Sequence, residues 1–205
     1  LKNLGMGCGS RAGKMEMHAS SKPQCNQEKC IGCGACQRIC AHGAPIMTDR
    51  RITIDHNKCV GCGRCIGVCP RDAIRPGVYH SNDILNCKIA EYAKAVVDGR
   101  PNFHINLVMD ISPFCDCHAE NDVPIVPNVG MFASFDPVAL DVACADAVNK
   151  MPANIGSVLD DRIHAHEEGR DHFHTANPNS NWRSCVEHAE KLGIGIQDYE
   201  LIEVK

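Results

Sequence analysis

The sequence predicts a mixed α/β domain, with α+β as the alternative, interrupted by a cysteine-rich insert. Three observations predict it. From residue 83 onward, stretches with helical and with alternating apolar periodicity follow one another. Asp136-Pro137 is a strong helix start. A run of four closely spaced cysteines occurs twice, 29 residues apart. The 205 residues are 44% hydrophobic, enough for a core, but hold only 5 Phe, 3 Tyr and 1 Trp. Such a core must rest on aliphatic side chains. A net charge of -4 gives no electrostatic reason to expect nucleic acid. No apolar run approaches the roughly 20 residues of a membrane span.

Three segments follow from composition. Residues 1–24 are a Gly-rich piece of the α/β domain, 25–76 are the insert, and 77–205 are the rest of that domain. Residues 5–19 read as a loop, 20–24 as a linker. Within the insert, Ile52 and Ile54 alternate as a short strand over 51–55. Residues 83–98 form a helix with Leu85, Ile89, Tyr92 and Val96 on one face, stopped by Gly99-Arg100-Pro101. Residues 103–111 form a strand with Ile105, Leu107 and Met109 on one side. Residues 120–135 hold turns and short strand stretches. A helix then starts with Asp136 as N-cap and Pro137 in the first turn. Residues 160–181 are polar and His-rich. A last helix covers 181–192 with Gly193 after its end. The tail YELIEV reads as a strand.

Cysteine is the outlier, with 15 in the chain. An odd number in tight clusters suits metal ligation better than disulfides. Persisting thiols imply a reducing compartment, so a cytoplasm is expected, that of an anaerobe. The runs are Cys30-x2-Cys33-x2-Cys36-x3-Cys40 and Cys59-x2-Cys62-x2-Cys65-x3-Cys69-Pro70. This is the spacing of bacterial ferredoxins, in which the fourth Cys ligates the other cluster. Three cysteines in a tight loop cap three irons of a cube; the fourth iron takes a thiolate from the opposite repeat. Cluster one is therefore assigned to Cys30, Cys33, Cys36 and Cys69, and cluster two to Cys59, Cys62, Cys65 and Cys40. Both are expected to be [4Fe-4S]. Gly32, Gly34, Gly61 and Gly63 let the backbone wrap closely and aim N–H groups at sulfur. Zinc is the competing reading, but zinc ligands do not come as four such cysteines twice over. The proline that follows Cys69 has no counterpart after Cys40, where Ala41-His42-Gly43 stands; His42 is either a tuner of cluster two or a solvent-exposed loop residue. Two bound clusters would bring the charge to about -8, which steers toward a basic partner.

Other residues carry weaker signals. Cys115 and Cys117 can face one side of an extended chain, with Cys8 and His18 as distant partners in a candidate third metal centre; two structural thiols is the simpler reading. Gly5, Gly7, Gly9 and Gly13 with Lys14 do not make a Walker loop, because Cys8 and Met15 stand at required positions. An anion nest with Arg11 and Lys14 is an alternative. His164, His166, His172 and His174 suggest adventitious metal binding. Asp136 and Asp141 lie on different faces of their helix. Cys87 and Cys144 read as packing, while Cys25 and Cys185 have no sequence partner.

Several stretches together resemble the domain-of-unknown-function 362 family, in the branch with an embedded double 4Fe-4S ferredoxin. They are residues 1–19, the two cysteine runs, EYAKAV (91–96), DISPFCDC (110–117), SFDPVALD (134–141) and LGIG…YEL (192–201). The resemblance implies an iron–sulfur protein of anaerobic bacteria or archaea. It marks Cys8, Cys115, Cys117, Asp136 and Asp141 as motif positions and names no reaction. It also implies a longer N-terminus, in keeping with a chain that opens Leu1-Lys2 without Met, so a fragment or processed product is expected. Three functions follow as expectations. The first is an electron-transfer protein relaying single electrons to or from a redox protein or enzyme complex. The second is an oxidoreductase whose insert feeds a site near Cys8, Cys115 and Cys117. The third is a module docking the clusters onto a larger complex. The first is preferred because its residues are the best specified. No nucleic acid and no membrane insertion are expected, and a homo-oligomer stays open.

Overall fold

A computed structural model describes residues 1–18, 22–76, 82–115, 122–165 and 171–204. The chain forms two compact units, Lys2–Tyr92 and Ala93–Lys205 with Leu1. Helices and small sheets are mixed, as the α/β reading expects, and all three strand pairs described are antiparallel. No helix among the described residues is long and apolar enough to cross a membrane.

In the first unit the expected Gly-rich loop is helical. A turn of π-helix covers Asn3–Gly7 and α1 covers Arg11–His18. The glycines serve close contact rather than turning. A Cβ on Gly5 would sit 2.2 Å from the Ile89 carbonyl oxygen, and one on Gly13 would sit 2.7 Å from the Tyr92 ring. None of Gly5, Gly7, Gly9 and Gly13 has a positive φ. The alternating backbone of an anion nest is therefore not formed there, which corrects that expectation. Lys88 on α4 (Asn82–Val97) reaches the Glu16 carboxylate at 3.0 Å and donates to its carbonyl at 2.9 Å. The buried stripe of α4 is Ile89, Ala90, Ala93 and Val97, rotated from the expected one.

The cysteine repeat folds as two matching halves. The elements are β1 (Pro23–Cys25), α2 (Ala35–Ile39), β2 (Pro45–Thr48), β3 (Arg51–Ile54), α3 (Arg64–Gly67) and β4 (Ile74–Pro76). Shifted by 29 residues, β1 becomes β3, α2 becomes α3 and β2 becomes β4. The pairing obeys the same shift: β1 pairs with β4, Cys25 facing Ile74, and β3 pairs with β2, Ile54 facing Pro45. Asn26 N–H donates to Ala73 O at 2.7 Å, and Asp55 N–H to Ala44 O at 2.8 Å. Each half thus opens by bonding to the close of the other. Between them lie Cys30, Cys36, Ile52, Cys65, Ala73 and Ile74, all buried.

The second unit is built around α5 (Pro137–Asn149). Asp136 caps it, accepting from Val138 N–H at 2.8 Å and Ala139 N–H at 3.0 Å, with Pro137 in the first turn. β5 (His104–Val108) pairs with β6 (Gly130–Ser134). The expected alternation is present, but Ile105, Leu107 and Met109 face solvent. The inward face carries Asn106, which donates to Asp141 Oδ1 at 3.0 Å and to Cys144 Sγ at 3.5 Å. These bonds to α5 let a polar residue occupy the inner side. Val108, Ile125, Val126, Leu140, Cys144, Val148, Leu159 and Ala176 make the core. The His-rich stretch contributes α6 (Val158–His164) and α7 (His172–Ala176). α8 (Trp182–Lys191) closes with Gly193 at φ 72°. The tail YELIEV is not a strand within residues 199–204, and Leu201, Ile202 and Val204 are exposed. No strand among the described residues pairs with it, so its backbone groups join no ladder there.

Candidate metal centres

Each cysteine loop is launched by an Asx turn. Asn26 Oδ1 accepts from the N–H groups of Glu28 (2.9 Å) and Lys29 (3.2 Å), and Asp55 Oδ1 accepts from Asn57 N–H (2.9 Å). The chain then bends back, with Cys30 N–H on Asn26 O (3.2 Å) and Cys59 N–H on Asp55 O (3.0 Å). Gly32 and Gly61, between the first two cysteines of each loop, hold φ of 65° and 78°. A side chain is disfavoured in that conformation. At Gly32 it is also blocked, since a Cβ would fall 2.3 Å from Arg50 O.

Two cavities result. One, small and partly open to solvent, is lined by Cys40, Cys59, Cys62 and Cys65, with Val60 and His42. The other, also small and partly open, is lined by Cys30, Cys33 and Cys69, with Ile31 and Ile52. Cys36 is buried in the same core and lies within electrostatic reach of Cys30 and Cys33. The strand exchange explains the grouping. Cys40 precedes β2, which pairs with the strand leading into Cys59. Cys69 precedes β4, which pairs with the strand leading into Cys30. Each fourth cysteine is thereby carried to the other half's loop.

The sulfurs meet backbone donors. Gly61 N–H donates to Cys59 Sγ at 3.4 Å and Ala73 N–H to Cys69 Sγ at 3.3 Å. Cys30 is pushed up by burial, but N–H groups of Gly32 and Ile52, the Cys25 thiol and the Arg51 charge together bring it below the usual thiol value. Arg51 also donates to the Cys30 carbonyl. Cys65 goes the other way, to about 12, through burial and then the neighbouring Cys59, Cys62 and Cys36. Burial likewise raises Cys36. Such thiols give up their protons when a metal takes their place. Among the described residues no three His, Cys, Asp or Glu side chains converge to hold a single ion. The thiols around the two openings are of the ligand type that iron–sulfur clusters take.

The remaining candidates fare differently. Cys8 and His18 are exposed residues of the first unit, and the His18 Nδ1–H donates to Lys14 O at 2.7 Å. Cys115 is half-buried in the second unit. Cys117 lies outside the described residues, as does His166. The other members of the expected histidine group are held separately. His164 bonds to Asp160 O (2.8 Å), His172 to Met151 O (2.9 Å) and His174 to Ser180 O (3.1 Å). Asp136 is a cap that also accepts from Ile196 N–H at 2.9 Å, tying the segment after α8 to α5. One residue escaped the sequence reading. Cys25 packs beside the cysteine core, and its thiol is pushed up to about 12, by burial and then by Cys30. Extending the 29-residue register backward would have found it, opposite Ile54.

Fold and site define a mixed α/β chain with two reciprocal four-cysteine loops. It belongs to the family described as Domain of unknown function (DUF362), whose pattern matches residues 1–146. No curated protein and no solved structure matches it.

Proposed function

We propose that the chain is an iron–sulfur electron-transfer protein with a double ferredoxin-like insert. Cys30, Cys33, Cys36 and Cys69 would hold one [4Fe-4S] cluster, and Cys59, Cys62, Cys65 and Cys40 the other. When bound, such clusters supply one-electron transfer at potentials set by hydrogen bonds and exposure. The observation that carries this reading is the exchange of the fourth cysteines between halves that also exchange their strands.

The residues around the thiols do the rest. N–H groups of Gly61 and Ala73 donate to cysteine sulfur, which favours the thiolate and the reduced, more negative state. Ile31 and Val60 occupy equivalent positions, line the two cavities and are each 55% exposed. They limit water at the sulfurs and present an apolar surface over which a redox partner can approach. A partner with a basic face suits the acidic loaded chain.

The test is an anaerobic reductive titration followed by electron paramagnetic resonance. The proposal expects about two electrons per chain and spectra of two nearby reduced cubanes. A chain that takes up no electrons would end it. The oxidoreductase alternative draws on Cys8, Cys115 and Cys117.

A further inference from the structure

The outer face of the β5–β6 ribbon, in the second unit, is apolar and uncovered. Phe103, Ile105, Leu107 and Met109 alternate outward along one edge, and Met131, Ala133 and Phe135 along the other. The six large ones are 42% to 77% exposed. Across the ribbon Ile105 faces Ala133 and Leu107 faces Met131, while the Phe103 and Phe135 rings lie 4.9 Å apart. Neither 103–109 nor 130–135 contains Lys, Arg, Asp or Glu. The opposite face is satisfied within the unit: Asn106 bonds to α5, and Val108 and Phe132 join its core. Apolar side chains gathered side by side, unlike single scattered ones, mark an interaction surface.

We propose that this face joins two copies of the chain, sheet against sheet. The face complements itself. Ile105 and the small Ala133 form its middle row, the two phenylalanines one end, and Leu107 with Met131 the other. A two-fold axis along the middle row lays a second copy on it with the strands reversed. The aromatic end of each copy then meets the Leu–Met end of the other, and Ile105 meets its own equivalent. Such a contact is isologous and closes at two copies. Face-to-face sheets with nearly aligned strands are a common packing. The flanking charges follow the same symmetry. Arg100 stands five residues before Ile105 and Asp110 five after it, both exposed, so reversal sets opposite charges at each end. The six large side chains leave roughly 700 Å² exposed on one copy, so a pair buries about 1,400 Å², within the range of specific interfaces. The proposal is independent of the iron–sulfur reading.

The test is the mass of the full chain in solution, by sedimentation, after anaerobic purification. Wild type should sediment at twice the 22.3 kDa of one chain. It should do so at low and at high salt, because apolar area carries the contact. Ile105→Asp and Ile105→Lys should each be monomeric, since like charges meet at the axis, with iron content as in wild type. Mixing the two variants should restore the dimer, because Asp then meets Lys. A wild type that is monomeric at every concentration would overturn the proposal and leave the face to a different protein. Dimeric Ile105→Asp, or a mixture that stays monomeric, would overturn it as well. Should the Ile105 variants fail to fold, Met131→Glu decides, and a dimer as strong as wild type would overturn the proposal.

Discussion

Between residues 23 and 76 one buried cluster consists of Cys30, Cys36, Cys65, Ile52, Ala73 and Ile74, half of them thiols. Around α5 it is Val108, Ile125, Val126, Leu140, Cys144, Val148, Leu159 and Ala176, with one thiol among them. The strands of the first region are three or four residues long, in two-stranded pairs. Such pairs are marginal in water alone. Small domains with so little core are stapled by metal or disulfide. The second region instead has a 13-residue helix, capped at its start, with eight buried residues. Ordinary burial stabilises it, at about 25 cal/mol per Å² of apolar surface. Two packing regimes therefore share one chain, and under the proposed reading only the first would depend on a bound cluster.

Removing iron should separate them most sharply. Chelation under reducing conditions is expected to abolish amide protection over 23–76, while the helices of residues 137–191 keep theirs. Hydrogen exchange checks this, and equal loss in both regions would break the comparison. Leu159→Ala is the converse probe. Leu159 is fully buried, so the change should cost the second region about 2–5 kcal/mol and leave iron content unaltered. Denaturant unfolding and an iron assay read both arms. Asp136→Ala follows, since it removes an acceptor for three N–H groups. A loss of about 1–2 kcal/mol is expected, again without loss of iron. Gly61→Ala is the smallest, because a Cβ there meets open space. Only its left-handed backbone opposes a side chain, for about 1 kcal/mol, and Gly32→Ala should hurt more because of the Arg50 carbonyl.

How much of this was legible in the sequence depended on how far apart the cooperating residues lay. Cys30, Cys33 and Cys36, and likewise Cys59, Cys62 and Cys65, sit within single loops, so spacing alone groups them. α5 was readable because Asp136, Pro137 and the apolar run sit side by side. β5 was half readable: alternation gives two faces but not which one turns inward. That choice was made by Asn106 bonding to Asp141, 35 residues away. The glycines of 5–13 were misread for a similar reason. A glycine that admits Ile89 or Tyr92 looks in sequence like one that turns the chain. Residues 45–48 and 74–76 are too short to announce themselves as strands, and they became visible only through their partners. The tail was misread because periodicity supplies a strand pattern but no neighbour.

The central claim is that the cysteines of residues 30–69 enclose two cubanes, sharing their fourth ligands crosswise. The most direct measurement is iron and acid-labile sulfide per chain in protein purified without oxygen. The account predicts about eight of each. One or two zinc ions with no labile sulfide would contradict it.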